Sequence, residues 1–123
     1  MNKLVLSLSL FLCLTSTSLV AQCPASITQF PYQESFEQIA LPGWTRFGQP
    51  GWAAFSGPTP DPATGPGAAS DGLLYQAVDL TGGTGSSVLE SPCFDLRGLN
   101  LPELTFDYHM FGPDVGRLLV QLS

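Results

Sequence analysis

Glycine and proline interrupt this chain so often that no helix of useful length fits between them. Thirteen glycines and eleven prolines are spread over 123 residues, and both residue types are unfavourable inside a helix. The stretches between them are short and largely apolar, with turn residues at their ends, which is typical of strands. The sequence therefore predicts an all-β chain that folds as an antiparallel β-sandwich.

The first 21 residues have the pattern of a secretory signal peptide. Lys3 precedes an apolar run over residues 4–14, and small residues are frequent over 15–21. This run is shorter than the ~20 residues that span a bilayer, so we expect no transmembrane segment in this chain. We predict a signal peptide over residues 1–21, an extended lead-in over 22–29 and one β-domain over 30–123. The protein is then secreted or displayed at the cell surface.

The charge balance argues against two classes of partner. Export would remove Lys3 and leave ten acidic residues against three arginines, which changes the net charge from −6 to −7. Nucleic acids and anionic membrane surfaces both require basic patches on the protein that binds them. We therefore expect no nucleic-acid partner.

Two cysteines remain after export, because Cys13 lies in the leader. Cys23 and Cys93 would then face an oxidising compartment. A disulfide between them is the simplest pairing. Two separate cysteines, or partners elsewhere in a longer protein, are the alternatives.

Short strand candidates follow one another along the mature chain. They cover residues 32–39, 44–47, 52–55, 73–80 and 88–96. Pro92 predicts a break or a sheet edge inside the last of them. Segments 56–72 and 81–87 are rich in glycine, proline, serine and threonine, so we predict loops there.

Residues 101–122 predict a strand, a turn and a second strand. Large apolar side chains recur at every second position from Leu104 to Met110, which places them on one face of a strand. Gly112 and Gly116 bound a turn, and an apolar run resumes over 117–122. No turn or polar tail follows this second strand, so we expect the pair to lie inside a larger sheet.

Several short motifs along residues 30–122 occur in the order found in one family of extracellular modules. The residues that carry them are Phe36, Trp44, Trp52, Gly65, Pro66, Tyr75, Pro92, Phe106, Tyr108, His109, Met110, Gly112 and Gly116. Together they resemble the MAM domain of meprins, neuropilins and receptor tyrosine phosphatase mu. The segment 104–112 followed by 116–118 is the most specific part of the resemblance. Residues 67–70 depart from the family pattern, and the later strands of the family domain have no counterpart in this chain.

The resemblance implies a jelly-roll-like β-sandwich, present as the N-terminal part of a MAM domain. It implies a non-catalytic adhesion or recognition module of a larger extracellular protein. An extracellular protein or glycan would be the partner, with homophilic contacts as one form. Two alternatives stay open: an accessory domain of a secreted hydrolase such as a peptidase, and a carbohydrate-binding module.

The resemblance also implies a cation site in the intact domain. Some MAM domains hold a cation through an early glutamate, a loop aspartate and a later acidic strand. Glu37 matches the glutamate, and Asp71, or less well Asp61, matches the aspartate. The resemblance thus implies Ca²⁺ or Na⁺ at Glu37 and Asp71 in the intact domain, where further ligands would complete the six to eight oxygens that Ca²⁺ prefers. Absence of both heat and a thermal shift on Ca²⁺ titration of an intact domain would remove this hypothesis.

His109 is the single histidine and a possible catalytic base. It lies two residues from Asp107 on a predicted strand, and no nucleophile motif accompanies the pair. We therefore predict a structural role for His109 and no enzymatic activity.

The aromatic residues could line a sugar-binding face, but large aromatic side chains usually form the core of a sandwich. We therefore expect the aromatic residues to form the core; they are Phe36, Trp44, Trp52, Tyr75, Phe106 and Tyr108.

Overall fold

The computed structural model describes residues 23, 25–60, 63–79, 84–112 and 115–122. All regular structure in these residues is β, and no helix is present among them, which confirms the all-β prediction for this part of the chain. The strands are β1 (Ser26–Ile27), β2 (Thr45–Gln49), β3 (Ala53–Ser56), β4 (Leu74–Ala77), β5 (Ser86–Glu90) and β6 (Cys93–Phe94). They form two-stranded sheets, ordered β1-β6, β2-β5 and β3-β4.

The longest ladder joins β2 and β5 in antiparallel register. Arg46 faces Leu89 across this ladder, and both are half-buried, whereas the neighbouring pair Phe47 and Val88 is exposed. This alternation is the period-2 pattern of a sheet with one covered face. Gly48 has φ +94°, and a Cβ at this position would collide with the backbone of Ser86. Only glycine therefore allows the two strands to approach here.

The second antiparallel ladder joins β3 and β4. Phe55 and Tyr75 face each other across it, and their rings stack with centroids 6.1 Å apart. The Tyr75 hydroxyl donates a hydrogen bond of 3.0 Å to the Gly57 carbonyl. Partial burial raises the pKa of Tyr75, because desolvation disfavours the phenolate. All four residues of β4 are half-buried, so this strand lies nearest the interior.

The N-terminal segment is tied to β6. The short strands β1 and β6 pair in parallel, and the Asp95 N–H donates to the Ile27 carbonyl at 2.9 Å. Cys23 and Cys93 form a disulfide with Cα atoms 5.9 Å apart. The structure thus contains the simplest of the cysteine pairings that the sequence allowed.

Apolar burial is small throughout the part of the chain that the structure describes. Leu41, at 8% exposure, is the buried hydrophobic residue there, and no large side chain is fully buried. The predicted core positions at Phe106 and Tyr108 are wrong, because these rings are 52% and 69% exposed. Among the described residues, no apolar surface covers the face of residues 104–110 that carries Phe106 and Tyr108.

Two strand predictions are wrong. Residues 32–39 form no strand: Phe36 has φ +61°, and the Glu34 carboxylate accepts its N–H at 2.7 Å, which bends the backbone away from a ladder. The predicted hairpin over 101–122 is also absent, since neither 101–112 nor 115–122 joins a sheet. Alternation selects the faces of a strand, but register is fixed only where one face is buried.

Other predictions agree with the strands. Segments 44–47, 52–55 and 73–80 contain or overlap β2, β3 and β4. The expected interruption at Pro92 separates β5, which ends at Glu90, from β6, which begins at Cys93. This break is confirmed, because proline donates no ladder hydrogen bond.

Replacing both cysteines, Cys23→Ser with Cys93→Ser, is expected to lower the free energy of unfolding by about 4 kcal/mol. The disulfide closes a loop with a sequence separation of 70 residues, so its loss raises the conformational entropy of the unfolded chain. Urea denaturation of the exported chain, with and without reductant, measures the change. Equal midpoints for the oxidised wild type and the double variant would contradict the expectation.

Candidate functional site

Glu37 holds the loop that leads into β4. Its Oε1 accepts hydrogen bonds from the backbone N–H groups of Leu73 and Leu74, both at 2.8 Å. Gly72 has φ +68°, and a Cβ there would collide with the Glu37 carboxylate. A carboxylate that accepts two backbone N–H groups is a strong local restraint. The segment around residue 37 is thereby fixed beside residues 72–74.

The same contact brings the two predicted cation ligands into one region, since Asp71 directly precedes Gly72. The donors on Glu37 Oε1 are N–H groups, which orient their positive ends toward the oxygen where a cation would bind. Within the described ranges, no three His, Cys, Asp or Glu side chains are grouped to hold a metal. Ca²⁺ or Na⁺ binding by Glu37 and Asp71 stays a prediction, and Asp61 lies outside the described residues.

An aromatic cluster supports the backbone before Glu37. The Trp44 indole N–H donates to the Tyr32 hydroxyl at 3.3 Å, and the Phe36 ring packs edge-on against Trp44 with centroids 5.2 Å apart. Tyr32 also packs edge-on against Phe94 of β6 at 5.2 Å. Such edge-to-face pairs stabilise beyond the area that they bury. They connect residues 32–36 to both β2 and β6, so Glu37 is held from its N-terminal side.

Arg46 links the two antiparallel ladders. Its Nη2 donates to Gln76 Oε1 at 2.9 Å and to the Ile39 carbonyl at 3.3 Å. The buried donors Arg46 Nε, Gln76 Nε2 and Trp52 Nε1 have no partner. Gln76 pairs with Ala54 of β3, and Trp52 directly precedes this strand. Sequence reasoning missed Arg46 and Gln76, although charged or amide residues within apolar strands were a usable signal.

Two acid–base pairs among the described residues differ in their surroundings. His109 and Asp107 are both exposed on a segment outside the sheets. Asp95 accepts from Arg97 Nε at 2.8 Å, from Arg97 Nη2 at 2.6 Å and from the Arg97 N–H at 3.1 Å. These hydrogen bonds lower the pKa of Asp95 to about 2. The pair lies at an open hollow beside Ser26 and Phe94 and keeps its charges near neutral pH.

The remaining motif residues lie outside the strands. Pro92 approaches Gly43, and Gly65 lies against the Thr59 side chain. Gly112 and Gly116 both have positive φ, a backbone conformation that favours glycine. Met110 lies in the exposed terminal segment, and Pro66 is half-buried.

Comparison with known proteins gave no match to any family model, curated protein or solved structure. Where the chain is described, it has no helix long and apolar enough to cross a membrane.

Glu37→Ala is expected to speed hydrogen exchange of the Leu73 and Leu74 amides about fivefold. The substitution removes the shared acceptor, and such side-chain acceptors for backbone N–H groups are worth about 1 kcal/mol. Glu37→Gln retains an acceptor oxygen and should give a smaller change. Exchange measured by NMR on the exported chain tests the prediction.

Gln38→Ala provides the matched control, since Gln38 is the exposed neighbour of Glu37. It should leave the exchange rates of the Leu73 and Leu74 amides nearly unchanged, because surface substitutions usually change stability by less than about 0.5 kcal/mol. Equal exchange in the Glu37→Ala variant and this control would show that the carboxylate does not restrain the loop.

Proposed function

We propose that this chain is a secreted or surface-displayed recognition module without catalytic activity, acting in adhesion at or near membranes. The proposed fold is a MAM-like, jelly-roll-like β-sandwich. The motif order from Phe36 to Gly116 supports this resemblance. The pairs β2–β5 and β3–β4 are consistent with it, because each is antiparallel and each alternates in burial or stacks aromatic residues.

The way the two ladders are connected supports the sandwich. Arg46 projects from β2 and reaches Gln76 on β4, so side chains of the two ladders meet. Phe47 and Val88 are exposed on the other face of the β2–β5 ladder. Contact through one face and exposure of the other is the arrangement of a layer in a sandwich.

The observation that carries the proposed function is a pair of exposed apolar side chains on restrained backbone. Ile39 is 76% exposed and Leu73 is 75% exposed. Arg46 holds the Ile39 carbonyl, and Glu37 holds the Leu73 N–H. Because Glu37 lies two residues from Ile39 and bonds Leu73, the two side chains belong to one local surface. We call Glu37, Ile39, Leu73 and Leu74 the loop surface.

A restrained apolar surface suits protein recognition. Residues that dominate binding energy are apolar or aromatic anchors that a partner can desolvate. Ordering a flexible loop on binding costs affinity, and a loop already held by hydrogen bonds avoids much of that cost. Loops fixed on a strand scaffold are also the usual location of binding residues. The loop surface therefore suits an extracellular protein partner.

Beads coated with the exported chain are expected to attach to a cell monolayer, and Leu73→Asp should reduce attachment at least tenfold. A carboxylate at the centre of an apolar contact must be desolvated without a partner, which weakens binding by more than 1.4 kcal/mol. Leu99→Asp is the matched control, since Leu99 is also exposed but lies outside the loop surface. Bead counts per cell area measure the effect.

Enzyme treatment of the monolayer separates the alternatives. Loss of attachment after surface proteolysis supports a protein partner. Attachment that survives proteolysis but is lost after glycosidase treatment would favour a carbohydrate-binding module. Turnover of a peptide library by the chain would contradict the non-catalytic proposal, and equal loss in both aspartate variants would contradict the role of the loop surface.

A further inference from the structure

The terminal segments 101–111 and 115–122 carry most of the exposed apolar surface in the described part of the chain. They contain ten of the sixteen large hydrophobic side chains that are exposed there. These are Leu101, Leu104, Phe106, Tyr108, Met110, Phe111, Leu118, Leu119, Val120 and Leu122. At ~150–250 Å² for a large ring, their exposed fractions sum to roughly 1,000 Å². We call residues 101–111 and 115–122 the terminal segments.

The exposed apolar area of the two segments together is large enough to form an interface. A stable protein–protein interface buries about 800 Å² on each partner. The terminal segments thus expose an area of the size that an interface covers.

The backbone of these segments is also available for pairing. Neither segment belongs to a sheet, and none of the turn or loop backbone bonds between described residues involves them. Unpaired backbone with alternating apolar side chains is a template for strand addition. The partner that fits must therefore supply a strand as well as apolar side chains.

The two segments are complementary to each other. An antiparallel register that sets Tyr108 opposite Val120 also sets Met110 opposite Leu118 and Phe106 opposite Leu122, so apolar side chains face each other along one side of the ladder. The segment 101–111 carries Glu103 and Asp107, whereas Arg117 is the charged residue of 115–122. Opposite net charges favour pairing between the segments over pairing of either segment with itself. Both strands of the expected ladder are thus encoded in this chain.

We propose that residues 101–111 of one copy pair with residues 115–122 of a second copy, in reciprocal strand exchange. Within one chain both segments stay exposed, as Tyr108 and Val120 show. A second copy offers each segment its complement, and reciprocal exchange repeats the same ladder twice about a two-fold axis. This pairing goes beyond the recognition role of the loop surface and does not depend on it.

Single-cysteine variants test the exchange. Tyr108→Cys and Val120→Cys chains are co-expressed, oxidised mildly and analysed by non-reducing denaturing electrophoresis and mass spectrometry. Facing residues in an antiparallel ladder have Cα atoms about 4.5–5.5 Å apart, which suits a disulfide. The mixture is expected to give several-fold more covalent dimer than either variant alone, linked between positions 108 and 120. Because the link is read after denaturation, aggregated material is informative as well.

The control replaces Val120→Cys with Leu119→Cys, which presents its side chain on the opposite face of the ladder. It should give several-fold less cross-link with Tyr108→Cys. A chain that carries both Tyr108→Cys and Val120→Cys and forms only a link within itself would overturn the proposal. Equal dimer from Tyr108→Cys alone, or a mixture without the 108–120 link, would also overturn it.

Discussion

The scarcity of buried apolar surface is the constraint on which the rest of this structure depends. Leu41 is the buried hydrophobic residue in the described part of the chain, and small chains bury a low fraction of their surface in any case. Order must then come from directional interactions. Backbone ladders, the Cys23–Cys93 disulfide and the acceptor role of Glu37 supply it. Each of these interactions joins two segments that are distant in the sequence.

The polar link between the ladders shows the cost of this arrangement. Arg46 connects β2 to Gln76, yet its Nε and the Gln76 Nε2 are buried donors without partners. A buried donor that lacks an acceptor loses the hydration it had in the unfolded chain. The link therefore specifies how the ladders meet more than it stabilises them. An apolar pair of similar volume would relieve the cost but lose the hydrogen bond that orients β4 and the Ile39 carbonyl.

The break at Pro92 and the Cys23–Cys93 disulfide were predictable from the sequence, whereas the pairing of distant strands was not. Pro92 divides β5 from β6 because proline lacks an N–H, and that effect needs no knowledge of distant residues. The sequence predicts a strand over residues 32–39, but the Glu34 side chain competes for the Phe36 N–H and Glu37 bonds a loop 36 residues away. The terminal alternation predicted a strand with one covered face, but side chains on both faces are exposed in residues 104–111. It could not supply the surface against which one face is buried.

The loop surface and the terminal segments differ in whether their backbone polar groups are already hydrogen-bonded. Ile39 and Leu73 stand on backbone whose polar groups are already satisfied by Arg46 and Glu37, so a partner gains mainly side-chain contact there. The terminal segments leave backbone groups unpaired, so a partner gains a ladder as well. Strand pairing tolerates many side chains but demands register, whereas an apolar anchor demands a matching pocket. We therefore propose that the loop surface supplies specificity and that the terminal segments supply association between copies.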